Sequence, residues 1–475
     1  MPFAFTLPTT SSITFTDFIS SSSHPSLPLT ATTYRSVLRD ALKKHKRLSP
    51  SSQSAHLPTV QDAVKAYLPY ILTLHAASQG REAAGERVDI ASSKELEVEW
   101  RTTITSTIPG REAPRMKLKG FHNELLFALQ TLAYVSIHLA RTQLSTLHKT
   151  SQEQRGAAIT AAMKHLIDAN SIHTYALNLP SGPPTQQPPV DTAPSTQSAL
   201  ASLALAEATL IVVLKDDPYA AAVAEDRNKD NTDWMFKAPS IPKVRAHLFA
   251  RLCLATADHA AQAAGLLACG ANGGGKIDDA LLKYVDDLRR TARGRAARFL
   301  GIDAEIGGQT GEGIAWLRGA KKELGFWSGE EDGKRRGLKG LKQSWAEKRE
   351  DRKVAKGKEG WGMDAGKLEE GRVVEWLEAK WVKENDTVNV QLVPPFEPLL
   401  ASMPSGREYH TPKPFVAPSL EPDVLARMRA PPDPEDDGFR GNEEDSDDEN
   451  TTTPSDPVGA FPGTRQHYEA GSNYY

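Results

Sequence analysis

Most of this chain carries the apolar spacing of α-helices, and that spacing is what most constrains its fold. Apolar residues recur three and four positions apart, as they do on one face of a helix. In the clearest stretch, Phe121, Leu125, Leu129, Leu132 and Leu139 fall on one side. The pattern predicts a mostly α-helical fold, with helices at residues 31–47, 59–79, 93–105, 119–148, 153–178, 198–215, 243–269, 277–300, 302–325 and 367–384.

The segments between these helices predict how the helices are joined. Proline-rich residues 179–197 and glycine-rich residues 270–276 predict loops between antiparallel helices. The segments FAFTL and ITFTDF within residues 3–19 predict one or two short strands, the only β-structure expected. No repeat of fixed period is visible, which disfavours regular helical arrays but leaves an irregular helical solenoid with a TPR-like core open.

Charge and cysteine content narrow the classes of function. The 57 lysines and arginines nearly balance 60 acidic residues, so the net charge of -3 gives no overall attraction to nucleic acid. Cys253 and Cys269 fit no disulfide framework and indicate a reducing compartment. The chain starts without the pattern of a signal peptide, and its longest uncharged apolar run, residues 125–140, is too short to span a bilayer. We expect a soluble, cytoplasmic protein.

The composition of the chain changes after about Met403. A proline-rich segment leads into residues 433–449, where ten acidic residues stand against one arginine. Such a segment has too few apolar residues to offset the entropy of folding. The sequence therefore predicts a folded domain at residues 1–405 and a proline-rich, acidic, disordered tail at residues 406–475.

Sequence motifs give little support to an enzyme. Residues 270–276, from Gly270 to Lys276, match the G-x-x-x-x-G-K loop that cradles phosphates. However, Ile277 stands where a magnesium-binding hydroxyl is needed, and a helix pattern precedes the loop where that fold requires a strand. Hydrolase and metalloprotease motifs are absent from the sequence, so we expect no catalytic residue, cofactor or metal. Nucleotide binding through residues 270–276 stays a remote alternative.

Residues 334–358 form a basic segment, with eleven lysines and arginines against three acids. Such charge suits an anionic membrane, although an ordinary solvated loop explains it equally well. Nucleic acid is a weaker alternative because no aromatic platform or groove-entering motif accompanies the charge. The candidate membrane contacts are Lys334, Arg335, Arg336, Lys339 and Lys342.

Two predicted helices carry more apolar surface than one buried face requires. Residues 210–214 are apolar without a break, so some of them must point away from the nearest core. In the helix at 243–269, Leu248 and Leu252 lie beside the stripe that contains Phe249 and Cys253. Either both helices are buried between two neighbours, or they expose a groove for a partner helix.

Four segments resemble the Bro-type domain of Alix and its fungal relatives, an elongated, boomerang-shaped α-helical domain that opens with a small β-sheet. LALAEATLIVVLK at 203–215 is similar to the family's L-A-Q-A-Q-x-x-F-F-x-K, and FARLCLATADHA at 249–260 to its I-A-K-L-A-x-x-A-A-D-Y. GEGIAWLRGAKKEL at 311–324 and KENDTVNVQLVPPFEPL at 383–399 are similar to two further family motifs, G-E-x-I-A-R-L-x-x-A and K-x-N-D-x-I-Y-x-x-x-V-P. Their order and spacing extend the resemblance over about residues 1–405.

Within this family, the chain is most similar to the fungal members that act in ambient-pH signalling. FTLPTT near the start and EVEWRTTI at 97–104 carry that likeness. The resemblance implies a non-enzymatic adaptor that binds the C-terminal amphipathic helix of an ESCRT-III filament subunit. It further implies peripheral recruitment to the plasma membrane or endosome and proteolytic activation of the transcription factor PacC. A generic endosomal scaffold in membrane-protein sorting remains the alternative.

By position, the resemblance implies that the groove is lined by Val212, Leu248 and Leu252. Valine at position 212 replaces a large aromatic residue of the family, so a shallower pocket or a different anchor on the partner helix is expected. If these side chains form one exposed patch, Leu252→Asp abolishes partner binding and leaves the fold intact.

Overall fold

The structure is a computed structural model, and it describes residues 2–106, 112–147, 152–180, 188–226, 242–270, 275–327 and 362–431. The basic segment at 334–358 and the acidic run at 433–449 lie outside these residues. So does the interior of the glycine-rich loop, residues 271–274.

Helices make up most of the described residues, which confirms the mostly α-helical fold. Every predicted stretch except 93–105 contains a helix, and three further short helices were not predicted, at Tyr219–Asp226, Phe396–Ala401 and Pro422–Ala426. The helices are α1 Leu27–Arg47, α2 Pro50–Ser78, α3 Gly120–Ser145, α4 Gln152–Leu177, α5 Pro194–Asp216, α6 Tyr219–Asp226, α7 Lys243–Gly270, α8 Asp279–Ile306, α9 Thr310–Leu324, α10 Lys367–Glu384, α11 Phe396–Ala401 and α12 Pro422–Ala426.

Neighbours in sequence are neighbours in space. From α1 to α5 each helix packs against the next one, and the series continues from α5 to α7, α8 and α9. The helix α10 packs against both α8 and α9. A central helix in such a row has neighbours on two sides, and therefore needs two apolar faces.

The helix α5 shows this most clearly. It is long and apolar enough to cross a membrane by length and composition, but 67% of its most apolar window is buried inside the protein. The helices α4 and α7 pack on either side of it. Most of the apolar surplus that the sequence shows in α5 is therefore core.

Two small antiparallel sheets lie before α3, and the sequence predicts them poorly. The strands β1 Ile19–Ser20 and β2 Ala91–Ser92 form one pair, and β3 Glu97–Arg101 and β4 Arg115–Lys119 form the other. The predicted helix at 93–105 is wrong. Its buried residues Leu96, Val98 and Trp100 alternate with more exposed ones, which is the period-two pattern of a strand covered on one face. The predicted strand FAFTL is also wrong, because residues 3–7 have no regular secondary structure.

A buried carboxylate in α3 holds the sheet against the first helices. Glu124 is fully buried and accepts hydrogen bonds from Arg35 Nε at 2.8 Å, Tyr67 Oη at 2.9 Å and Trp100 Nε1 at 2.6 Å. These donors come from α1, α2 and β3. A buried charge with this many donors stabilises one arrangement of the four elements, because any other leaves it unpaired.

The folded unit extends further than predicted. It ends at Ala430, not at residue 405. Leu425 in α12 is fully buried, and the Ala430 N–H donates to the Ser23 carbonyl at 2.8 Å. The residues between α11 and α12 are extended and carry isolated apolar side chains. Such a segment has no periodicity that distinguishes it from a disordered tail.

Candidate partner-binding surface

The helices α5 and α7 pack side by side, and two of the predicted groove residues, Val212 and Leu248, lie at the same height along this helix pair. Arg245 near the start of α7 lies 3.9 Å from Asp216 at the end of α5, so the two helices run antiparallel. Val212 is one turn before Asp216, and Leu248 is about one turn after Arg245. Val212 and Leu248 therefore lie opposite each other across the seam between the helices.

These two side chains are half-buried at the surface. Val212 and Leu248 both pack against the core while keeping part of their area in solvent. One turn before Leu248, Val244 is 83% exposed. We call the surface formed by Val212, Val244 and Leu248 the α5–α7 surface. The predicted groove does not include Val244, although its spacing of four from Leu248 places it on the same stripe.

Leu252 differs from the expectation. It is 1% exposed and so forms the floor of the surface, not part of an open patch. The stripe of Val244, Leu248 and Leu252 passes from solvent into the interior within two turns of α7. The expected behaviour of Leu252→Asp therefore changes, because a carboxylate placed there would be buried without a partner.

An extended segment crosses α7 between Arg251 and Ala255, at the level of Leu252. We call residues 403–416 the strap. The Arg407 N–H donates to the Arg251 carbonyl at 3.0 Å, and Arg251 Nε donates to the Ser405 carbonyl at 3.1 Å. A Cβ on Gly406 would lie 2.6 Å from the Ala255 nitrogen. Only glycine lets the strap approach the α7 backbone this closely.

The strap continues from α7 across α5 to α4. His259 Nε2 of α7 lies 3.0 Å from Glu408 Oε2, and the half-buried imidazole of His410 lies next to the backbone of Ala208 in α5. On α4, Ser171 Oγ donates to the Lys413 carbonyl at 2.7 Å. Between the contacts on α7 and α5, the side chain of Tyr409 is 56% exposed. The strap thus closes one end of the α5–α7 surface.

A buried group of charged residues fixes the end of α5 on the side away from solvent. Arg298 of α8 donates from Nη2 to Asp217 at 2.6 Å and from Nε to Glu370 at 2.5 Å. Arg295 donates to the other oxygen of Glu370 at 2.7 Å. Burial alone would raise the pKa of Asp217, but the charge of Arg298 lowers it below its usual range. We call these four residues the arginine cluster.

The residues considered for other chemistry are not assembled into a site in the described structure. Lys276 pairs with Asp279 at 2.9 Å, and α7 precedes the glycine-rich loop where a phosphate-binding fold has a strand. The search of the described residues found no group of three or more histidines, cysteines and carboxylates that could hold a metal ion. The five candidate membrane contacts, from Lys334 to Lys342, lie outside the described residues.

Comparison with known proteins identifies both fold and family. No family model matches the chain. The chain is 14% identical to ALIX, solved in complex with the SIVmac239 PYKEVTEDL late domain, with a TM-score of 0.52 over 88% of this chain and 49% of that one. It is 16% identical to the ALIX BRO1 domain in a CHMP4C complex, with a TM-score of 0.50 over 89% of this chain and 97% of that one. At these identities the likeness establishes the Bro1-domain fold.

Relatives in sequence are much more similar. The pH-response regulator protein palC of Cryptococcus neoformans is 26% identical over 88% of this chain and 92% of its own length. The pH-response regulator protein palC of Emericella nidulans is 43% identical over 98% of this chain and 99% of its own length. An identity this high over nearly the whole of both chains shows that the chain belongs to the family of the pH-response regulator protein palC.

Proposed function

We propose that this protein is a non-enzymatic adaptor of fungal ambient, alkaline pH signalling, and that it binds the C-terminal helix of an ESCRT-III subunit on the α5–α7 surface. Through this binding it would promote the proteolytic activation of PacC. Membership of the palC family supports the pathway. The shared fold with a BRO1 domain solved with CHMP4C supports the class of partner.

The observation that carries the proposal is the half-buried, opposed pair of Val212 and Leu248, continued by the exposed Val244. An amphipathic helix can place its apolar face along such a line, as in other helix-in-groove complexes. The residues come from two helices held in fixed register, so little order has to be gained on binding. Central apolar contacts of this kind carry most of the affinity in protein interfaces.

A direct test uses the full-length chain and a fluorescent peptide of the ESCRT-III C-terminal helix. We expect Leu248→Asp to weaken binding about 30-fold or more, because it places a carboxylate in the centre of the apolar contact. Val388→Asp is a matched control, since Val388 is 72% exposed but lies near the end of α10. Fluorescence anisotropy measures the affinity, and circular dichroism checks the fold. Equal binding by wild type and Leu248→Asp would remove the α5–α7 surface from the proposal.

A cellular measurement separates the proposed adaptor from a generic endosomal scaffold. In a fungus shifted to alkaline medium, the adaptor predicts that Leu248→Asp blocks conversion of PacC to its shorter form, as followed by immunoblotting. A generic scaffold instead predicts normal PacC conversion and a defect in the sorting of membrane proteins. The Val388→Asp control should leave both processes unchanged.

The proposed adaptor acts from the cytoplasm and is recruited peripherally to the plasma membrane or an endosome. Anionic lipid could assist through Lys334, Arg335, Arg336, Lys339 and Lys342, since each basic residue near such a surface contributes about 1 kcal/mol. Liposome flotation tests this part separately. Flotation should require anionic lipid, weaken in high salt and fall when the five residues are replaced by glutamine. Flotation that ignores salt and these substitutions would contradict a charge-based attachment.

A further inference from the structure

We propose that Tyr409 of the strap is an aromatic anchor for the partner helix at the closed end of the α5–α7 surface. This inference rests on the proposed function and deepens it. It adds a contact from a segment far along the chain, and it defines the length and charge of the helix that fits.

The position of Tyr409 follows from its two neighbours in the strap. Glu408 pairs with His259 on α7, and His410 lies next to the backbone of Ala208 on α5. The backbone of Tyr409 therefore passes over the seam between the two helices. Ala208 is one turn before Val212 on α5, so Tyr409 lies about one turn from the level of Val212 and Leu248.

The ring is exposed although the strap around it is firmly attached. Its exposed fraction is 56%, and its ring meets the ring of His410 edge-on, with 4.9 Å between the centroids. The close passage at Gly406 and the attachments of Glu408 and His410 order the backbone before any partner arrives. A large, exposed aromatic side chain on an ordered backbone is the kind of residue that dominates binding energy. The Tyr409 ring also offers a partner helix a larger apolar side chain than Val212 does at the centre of the surface.

The surface has a defined length. From the exposed Val244 to Arg251, where the strap reaches α7, seven residues span about 10 Å at the helical rise. The open end is at Val244 and the closed end is at Tyr409. A partner helix that lies along α7 therefore buries about two turns.

The charges around the surface define the flanks of that helix. Lys215 and Arg245 are exposed beside the seam, and Arg251 is half-exposed at its strap end. Arg407 adds an exposed cation on the strap itself. Against these four cations stand two carboxylates, Asp216, 45% exposed and within reach of Arg245, and Glu408 of the strap, 64% exposed and paired with His259. The rim is net positive, so the occupant is an amphipathic helix whose apolar stripe is flanked by acidic residues.

The test compares two exposed side chains of the same strap. In titrations of the full-length chain with the labelled ESCRT-III peptide, Tyr409→Ala should weaken binding about 10- to 30-fold. Val416→Ala is the matched control: Val416 is 86% exposed on the strap but lies beyond its contacts with α5. It should bind within about twofold of wild type. Tyr409→Phe should also bind like wild type, because the ring and not the hydroxyl makes the contact.

A rescue experiment distinguishes a binding role from a purely structural one. Val212→Phe places an aromatic side chain one turn away, on the same surface. In the Tyr409→Ala background it should recover most of the lost affinity, whereas it could not repair a loosened strap. Equal weakening by Tyr409→Ala and Val416→Ala, or a failed rescue by a folded double variant, would overturn the role of Tyr409.

Failure of this inference can be told from failure of the proposed function. If Leu248→Asp abolishes peptide binding but Tyr409→Ala stays within about twofold of wild type, the surface stands and the aromatic anchor is wrong. If the wild-type chain shows no saturable binding of the peptide, the proposed function itself is contradicted.

Discussion

The arginine cluster and the α5–α7 surface lie at the same end of α5 and reverse the usual distribution of side chains. Asp217, Glu370, Arg295 and Arg298 are charged and buried, whereas Val244 is apolar and 83% exposed. In the cluster every charge has a partner of opposite sign, so its cost of burial is offset only in this one arrangement. The apolar surface has no such partner within the described protein. The first region fixes the helix ends, and the second is the surface that we propose for partner binding.

The largest expected effect comes from breaking the buried region. Arg298→Met should lower the free energy of unfolding by about 3–5 kcal/mol, because it leaves Asp217 without its cation and removes one of two from Glu370. Urea denaturation measures the loss. Arg293→Met is the control on the same helix: Arg293 is partly exposed and pairs with Glu323 at 2.9 Å, so its loss should cost no more than about 1 kcal/mol. Similar losses in both variants would contradict a special role for the cluster.

The boundary between the two regions can be located by placing the same charge at adjacent turns of α7. Leu252→Asp should destabilise the protein by at least about 3 kcal/mol, because its carboxylate is buried without a partner. Leu248 is half-exposed, so Leu248→Asp should lower the free energy of unfolding clearly less than Leu252→Asp does. This variant should also retain the helical circular dichroism of wild type. If both variants unfold at the same urea concentration, Leu248 is core and the α5–α7 surface is not a binding site.

Another buried carboxylate sharpens the comparison because its hydrogen-bond donors are neutral. Glu207 of α5 accepts from the Phe3 N–H at 2.8 Å and from Tyr284 Oη at 2.7 Å. Burial raises the pKa of Glu207 from 4.5 to about 6. The folded protein thus keeps a proton that the unfolded chain has already lost between these pH values, so stability contributed by this group falls as pH rises.

The size of that effect follows from the shift in pKa. Relative to Glu207→Gln, the wild-type free energy of unfolding should fall by about 2 kcal/mol between pH 4 and pH 7. Urea denaturation of both proteins at each pH cancels the contribution of other titrating groups. A difference between the two proteins that does not change with pH would show that Glu207 titrates normally.

The smallest expected effect concerns the rim of the surface. Arg245→Ala should weaken binding of an acidic-flanked partner helix by about threefold, since exposed charge pairs contribute less than 1 kcal/mol. The difference from wild type should shrink at high salt. Anisotropy titrations at two salt concentrations measure both quantities. A larger loss that is insensitive to salt would place Arg245 inside the apolar contact.

Periodicity predicted the long helices because each buries a regular stripe, and this is a local property of the sequence. It failed at residues 93–105, where the alternation of Leu96, Val98 and Trp100 was outweighed by the surrounding helical composition. At the candidate site, sequence position did not predict that Leu248 is half-buried whereas Leu252 is buried. It also placed Tyr409 in the disordered tail, although this residue belongs to the folded unit. Those distinctions depend on the strap, which reaches α7 from 156 residues further along the chain in the contact between Arg251 and Arg407. Sequence spacing carries no information on contacts of that range.

The composition of α5 has a consequence for the synthesis of this protein. A helix apolar enough to cross a membrane is completed at Asp216, but α7, which covers one of its sides, starts only at Lys243. While the ribosome adds the intervening residues, α4 can shield one side of α5 and the other faces water. During that interval the nascent chain exposes the kind of apolar surface that chaperones and the membrane-insertion machinery bind. We expect that docking of α7 ends this exposure.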